Sequence, residues 1–357
     1  MSPIKSLLFV LALAAQVPLA SATVTYAVGT CQPKLTSFTT IMGALGATPS
    51  PNVVKVCPGT YPEQVIITHA VTLEGVSAGN SDQVVIAVPP GGLTGFNDGL
   101  DDLLSAQVSV IQPLGEVNLI NLTVDGTGNT VASPNFMVGV LYFNAPGTVN
   151  HLNIVNQNGN GRGTGVWLAG GNFNPSVTVE DSNLQNFDFV GITVKTDPQL
   201  NMTIKGNNLA SSFTNSDGIN LAFGIQLTAS ISDNLITAGY EGVSINDGQG
   251  SVSNNKIVGT PVGIDLETDT VSVTSNTIYN TLGEYGIGII ANSSVAPVTG
   301  NTVAQSPIGI YFDCNAGTNV HSNTILDAAI ALYGVPSGTI GINTYYNVGG
   351  AINGGGC

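Results

Sequence analysis

The chain has 357 residues, 43% of them hydrophobic and only 8% charged, with a formal net charge of −15 at pH 7. Seven basic residues cannot neutralise a row of phosphates, which excludes nucleic acid as a partner, and an anionic polymer would be repelled unless a cation bridged the two surfaces. The hydrophobic content is too high for a disordered chain despite the 45 glycines.

The N-terminus carries Lys5, an apolar run over residues 7–15, and the small residues Ala20, Ser21 and Ala22. This pattern predicts a signal peptide over residues 1–22 and a mature chain from Thr23 to Cys357, secreted to the periplasm or the extracellular space. No later segment has the ~18 uninterrupted apolar residues of a membrane span. Four cysteines, Cys31, Cys57, Cys314 and Cys357, fit an oxidising compartment. They allow three pairings, and Cys31 with Cys57 and Cys314 with Cys357 is the expected one.

Residues 38–45 (FTTIMGAL) have apolar side chains at helical spacing and are expected to form a short helix covering the open end of the first coil, within an N-terminal cap of about residues 23–52. Residues 89–107, 125–137 and 156–164 are rich in Pro, Gly, Asn and Asp and read as excursions from a regular wall.

That wall shows in two interleaved motifs. An aliphatic residue, two variable residues, Asn, a variable residue and an aliphatic starts at Ile204, Ile231, Val252, Val273, Val298 and Val320, with a degenerate copy at Val179 and looser ones at Val149 and Val117. A second, Gly-aliphatic-x-aliphatic, starts at Gly139, Gly165, Gly191, Gly218, Gly242, Gly263, Gly286 and Gly309, with Ala329 as a last variant. Both advance by 20 to 27 residues over about residues 117–345. Short β-branched segments with Gly and Asn punctuation at this period are the coils of a β-solenoid, ~4.8 Å apart. The expected fold is all-β, a single right-handed parallel β-helix with a short N-terminal capping helix. The column Asn207, Asn234, Asn255, Asn276, Asn301 and Asn323 is then an inward amide ladder rather than a set of ligands.

In the second motif the aliphatics point inward and the intervening residues outward. One outward column is Leu141, Trp167, Thr193, Asn220, Ser244, Asp265, Gly288 and Tyr311; the other is Phe143, Ala169, Lys195, Ala222, Asn246, Glu267, Ile290 and Asp313. Such a strip suits an extended sugar chain, with Trp167 and Tyr311 for ring faces and Lys195, Ser244 and Asn246 for hydroxyls. Asp265 and Glu267, two residues apart on one strand, have the ~7 Å spacing that lets two carboxyls share acid and base roles, with Asp313 as a more distant partner. Asp247, Glu267 and Asp269 offer oxygen atoms that suit Ca²⁺, although no cofactor is required. His69, His151 and His321 stand alone, without a nearby nucleophile.

Residues 53–76 (VVKVCPGTYPEQVIITHAVTLEGV) resemble the start of proteins with the pectin-lyase-like right-handed parallel β-helix, which carry Pro-Gly-x-Tyr-x-Glu, here Pro58, Gly59, Tyr61 and Glu63. The Asn and Gly columns are similar to the parallel β-helix repeats of that superfamily. The resemblance implies a polysaccharide partner. It matches no single enzyme family in it, because the motifs of pectin methylesterases, polygalacturonases and alginate epimerases do not occur in this chain. The one arginine, Arg162, lies in a Gly/Asn loop, away from a lyase-like setting. Two functions are expected from this: a protein that binds, and as a hydrolase or lyase degrades, an uncharged or weakly charged glycan, or a non-catalytic surface, adhesion or structural β-helix. The oligomeric state has no signature in the sequence.

Overall fold

The computed structural model describes residues 23–76, 84–97, 103–129, 135–159, 161–170, 175–196, 200–222, 227–267, 270–281, 286–292, 297–312, 319–334 and 338–353. The expected signal segment and the pair Cys314 and Cys357 lie outside them. Among the described residues the strands form three sheets of 13, 12 and 13 strands, parallel throughout except that Phe96–Asn97 pairs antiparallel with Leu103–Ile111. From Val53 to Tyr333 each coil passes through the three sheets in turn, so neighbours in a sheet are one coil apart in sequence and the fold is a three-sheet parallel β-helix. Stacking begins well before residue 117: Thr25–Val28 and Val53–Val56 lie in the first sheet, Gly59–Pro62 in the second, Val65–Ile67 in the third. One continuous core of Val, Ile and Leu runs between the sheets along the solenoid.

The corner between the first and second sheets is the best-determined by sequence. From Ser182 to Asn323 the residue before each ladder position is left-handed, as at Asp181, Asp233, Asn254, Ser275 and Ser322, with φ between 48° and 59°. Asn and Asp tolerate this region and the chain turns there in one residue. The following Asn is 0–1% exposed from Asn207 to Asn323, and its amide bonds along the stack. Asn255 Nδ2, for example, donates to Asn276 Oδ1 at 3.0 Å and to the Ile231 carbonyl at 3.0 Å. Ser182 begins the ladder and Asn343, beyond the last full copy of the motif, receives its last bonds, from Asn323 N and Nδ2 at 3.0 Å. Strand register also corrects one looser copy: Leu119, not Val117, pairs with Val149.

The helix is shorter than expected, Ile41–Leu45. Thr40 caps it, accepting from Gly43 N at 3.1 Å, and Ile41, Ala44 and Leu45 are buried. Glu63 accepts from the backbone of Ile41 and Met42 at 2.9 and 3.0 Å, and Tyr61 Oη donates to the Cys57 carbonyl at 2.7 Å. The Pro-Gly-x-Tyr-x-Glu stretch is thus a structural joint: its polar groups are consumed in fixing the helix against the first coils. Cys31 and Cys57 are disulfide-bonded beside it.

Candidate functional site

The site is built by a phase shift in the third sheet. A Cβ on Gly218, Gly242 or Gly263 would meet core side chains, Ile236 Cγ2 at 2.4 Å, Ile257 Cγ2 at 2.5 Å and Ile278 Cγ2 at 2.6 Å, and also the carbonyl of the next coil's glycine. Glycine and the aliphatic after it both face inward, two in a row, so the residue before glycine faces outward. Strand register accordingly steps over the glycine, pairing Glu241 with Val262 and then Val243 with Ile264. This creates a third outward column containing Asp217, Glu241, Val262, Ile287, Ile308 and Ile330. Strict alternation hides it from a sequence reading. The signal that would have found it is the acid placed directly before glycine in consecutive coils, Asp217-Gly218 and Glu241-Gly242.

Four carboxylates therefore share three consecutive strands, Asp217–Ala222, Glu241–Asn246 and Val262–Glu267, with coils ~4.8 Å apart. Asn220 Nδ2 donates to Asp217 Oδ2 at 3.0 Å, and Asn246 Nδ2 to Glu267 Oε2 at 3.1 Å. Asn220, Ser244 and Asp265 are register partners in turn. Burial and then the neighbouring charges of Asp217 and Asp265 push the Glu241 carboxyl up to about 7, against a hydrogen bond from Ser244 that lowers it. Burial and then Glu267 push Asp265 up to about 6. Burial also raises Asp217, opposed by its bonds to Asn220 and the Glu241 backbone. Asp265 Oδ1 is buried with no hydrogen-bond partner. Two carboxyls that change protonation near neutral pH, beside others, are what general acid–base chemistry requires.

The remaining residues of the expected strip divide by position. Lys195 pairs with Ala222, lies three coils before Glu267 and is half-buried. Ser244 and Asn246 line the acidic group directly. Tyr311 stands beyond it, stacked on Tyr333 with ring centroids 5.4 Å apart. Trp167 is corrected: it is 3% exposed, inside a satellite apolar cluster with Leu104, Ala106, Val138, Leu141 and Ala169. Phe96, Phe136 and Phe143 cover that cluster, and Phe136 is 5.1 Å from the Trp167 ring and under the Arg162 guanidinium at 4.9 Å. Trp167 is thus enclosed by apolar side chains and leaves no face for a sugar, and the exposed strip starts near Lys195. The segments carrying those rings also belong to the sheet more than expected: Leu103–Ile111, Phe136–Phe143 and Gly163–Gly170 are third-sheet strands.

The Gly column needs two corrections. Gly288 and Ala331, not Gly286 and Ala329, occupy the inward place, since Asp265 pairs with Ile290 and Ile310 with Leu332. The first outward column therefore has Ile290 after Asp265, and Asn292 follows Glu267 in the second. Asp313 and Asp269 lie outside the described residues. Asp247 donates its backbone N–H to the Glu267 carbonyl at 3.0 Å, but among the described residues no three His, Cys, Asp or Glu side chains are grouped to hold a metal ion. Among the described residues, too, no helix is long and apolar enough to cross a membrane.

The sequence matches no family model, and no curated protein matches it significantly. Solved structures do match in fold. The A-module of Azotobacter vinelandii mannuronan C-5 epimerase AlgE4 aligns with a TM-score of 0.53 at 15% identity, covering 84% of this chain and 88% of that one. A double mutant of the periplasmic alginate epimerase AlgG gives 0.53 at 15% identity, over 85% and 67%. The Dettilon tailspike protein gives 0.52 at 14%, over 83% and 61%. The likeness is one of fold. It agrees with the three-sheet parallel β-helix described above.

Proposed function

We propose that this is an exported protein that binds an extended polysaccharide along the outer face of the third sheet and hydrolyses it with Glu241 and Asp265. The carrying observation is the pair of carboxyls, about 7 and about 6, on adjoining coils of an exposed strip. Glu241 in its protonated form gives its proton to the glycosidic oxygen as the C–O bond breaks. Asp265, ionised, takes a proton from the water that attacks the sugar carbon. With burial, Asp217 helps keep Glu241 protonated and Glu267 makes Asp265 a stronger base, and Ser244, Asn246, Lys195 and Tyr311 contact flanking sugars. Alginate, the polysaccharide for which the AlgG neighbour is named, supports a glycan partner. A Cys31–Cys57 disulfide supports export. The helix Ile41–Leu45 shields the first coil in this reading, and Asp313 and a Ca²⁺ ion at Asp247, Glu267 and Asp269 are auxiliary to it.

The test is a panel of uncharged, amino-sugar and uronate polysaccharides, with and without Ca²⁺, read for new reducing ends and for retention of the protein. Turnover on at least one glycan is expected, and Glu241→Gln or Asp265→Asn is expected to lower it by about a hundredfold or more while retention changes little. Retention without turnover would remove the hydrolytic half of the proposal. Neither retention nor turnover would remove both halves.

A further inference from the structure

The inward columns of the three sheets end differently at the two ends of the solenoid. Near the C-terminal end Val320, Ile325 and Leu332, one from each sheet, are 0% exposed. Their register partners one coil on are Ile340, Tyr345 and Ile352. Ile340 and Tyr345 pack on the core yet are only half-buried, and Ile352 is 52% exposed although it continues the inward column of Leu332. Ile342 and Tyr346 beside them are exposed as well. Among the described residues no strand lies beyond Thr344–Tyr346 or Gly350–Asn353, so each keeps one edge of backbone N–H and C=O groups without a strand partner. At the opposite end this place is filled: Ile41, Ala44 and Leu45 of the helix are buried against Thr25–Val28, Val53–Val56 and Val65–Ile67.

We propose that the C-terminal end is covered by the same end of a second copy of this chain, in a twofold dimer joined tail to tail. It stands apart from the glycan reading of the third sheet. Three observations select a second copy as the occupant. The chain runs round all the open edges in one direction, and a twofold axis perpendicular to the solenoid reverses that direction. Edges that are parallel within each chain then meet antiparallel across the axis, with Gly350–Asn353 against itself and the two Ile352 side chains facing each other. Charge permits the approach: from Asn319 to Asn353 the only acid is Asp327 and the only basic group is His321, so two chains of −15 can touch here without opposing their carboxylates. The helix closes the other end, so association stops at two and no fibre grows. The sequence beyond Asn353 continues with Gly354, Gly355 and Gly356, which carry no side chain to lay over Ile340, Tyr345 and Ile352.

Sedimentation of the chain from Thr23 to Cys357, over about 1 to 100 μM, is expected to show a monomer–dimer equilibrium with no larger species. The dimer should tighten as salt is raised, because salt screens the repulsion between two acidic chains and leaves the apolar contact. Ile352→Asp is expected to weaken it about a hundredfold or more, and Leu114→Asp, at an exposed leucine many coils away, less than about twofold. Amide exchange in Thr344–Tyr346 and Gly350–Asn353 should slow as protein concentration rises, while Thr25–Val28 stays unchanged. A monomer throughout, growth beyond two copies, a dimer indifferent to Ile352→Asp, or exchange at the last coil that ignores concentration would overturn the inference. The exchange series uses the unaltered protein, so it decides the matter if Ile352→Asp fails to fold.

Discussion

Glu241 shows what one residue in the wrong phase does to a sheet surface. It is half-buried on the outer face, beside Asp217 and Asp265, and its carboxyl is pushed up to about 7 from an ordinary value of 4.5. The folded state then holds this proton more tightly than the unfolded chain does. Linkage fixes the sign: between the unfolded value near 4.5 and the folded value near 7, the folded protein binds more protons, so the group's contribution to stability falls as pH rises through that window and is level above it. Glu241→Gln removes the ionisation. The variant is expected to gain in thermal midpoint on the unaltered protein as pH goes from about 4 to about 8, and to hold that gain above. Paired melting curves at four or five pH values check it, and a difference that stays constant with pH would refute the raised carboxyl. Asp265 and Glu267 were legible in the sequence because they sit two apart on a plainly alternating strand. Asp217 and Glu241 were not, because glycine carries no side chain to declare that its position faces the core.

At the scale of the strand and the turn, sequence is most informative where a polar group must be buried. Aliphatic alternation has period two and tolerates a slip of two: residues 286–291 (GIGIIA) fit the Gly motif at Gly286 and again at Gly288, and only the pairing of Ile264 with Ile289 selects the second. An inward Asn has no such freedom, since its amide must meet partners in the coils above and below, which is why every Asn in the predicted column lies on the ladder. Asn276 shows the stakes. It accepts from Asn255 N and Nδ2 at 2.9 and 3.0 Å, and its Nδ2 donates to the Val252 carbonyl at 2.9 Å and to Asn301 Oδ1 at 3.0 Å. Asn276→Ala takes the acceptor from the buried Asn255 N–H, one of several acceptors from Asn255 Nδ2, and a donor from the Val252 carbonyl; at about 1–3 kcal/mol for each group left without a partner, it is expected to cost roughly 2–5 kcal/mol. Asn343→Ala, at the half-buried end of the ladder, should cost less than half as much. Denaturant midpoints for the two variants give the comparison, and equal losses would show that the ladder owes its Asn to something other than buried satisfaction.

Across the whole molecule, stability is a chain of neighbouring contacts rather than a single closed core. Each coil touches the one before and the one after, so loosening one end need not propagate to the other. The N-terminal end is tied unusually well: Cys31 and Cys57 are joined across a separation of 26 residues, Glu63 holds the backbone of Ile41 and Met42, and Tyr61 holds the Cys57 carbonyl. Closing a loop of that length removes enough freedom from the unfolded chain to stabilise by about 3–4 kcal/mol in the loop-entropy model. In a solenoid that stabilisation should be felt where the loop is. Reduction is therefore expected to speed amide exchange in Thr25–Val28 and Val53–Val56 by about a hundredfold or more, and to leave Thr277–Tyr279 and Thr302–Ala304, many coils away, within about threefold. Hydrogen exchange read by mass spectrometry on peptides from both ends, with and without reductant, measures the two together. Equal acceleration at both ends would mean that the coils unfold as one cooperative unit.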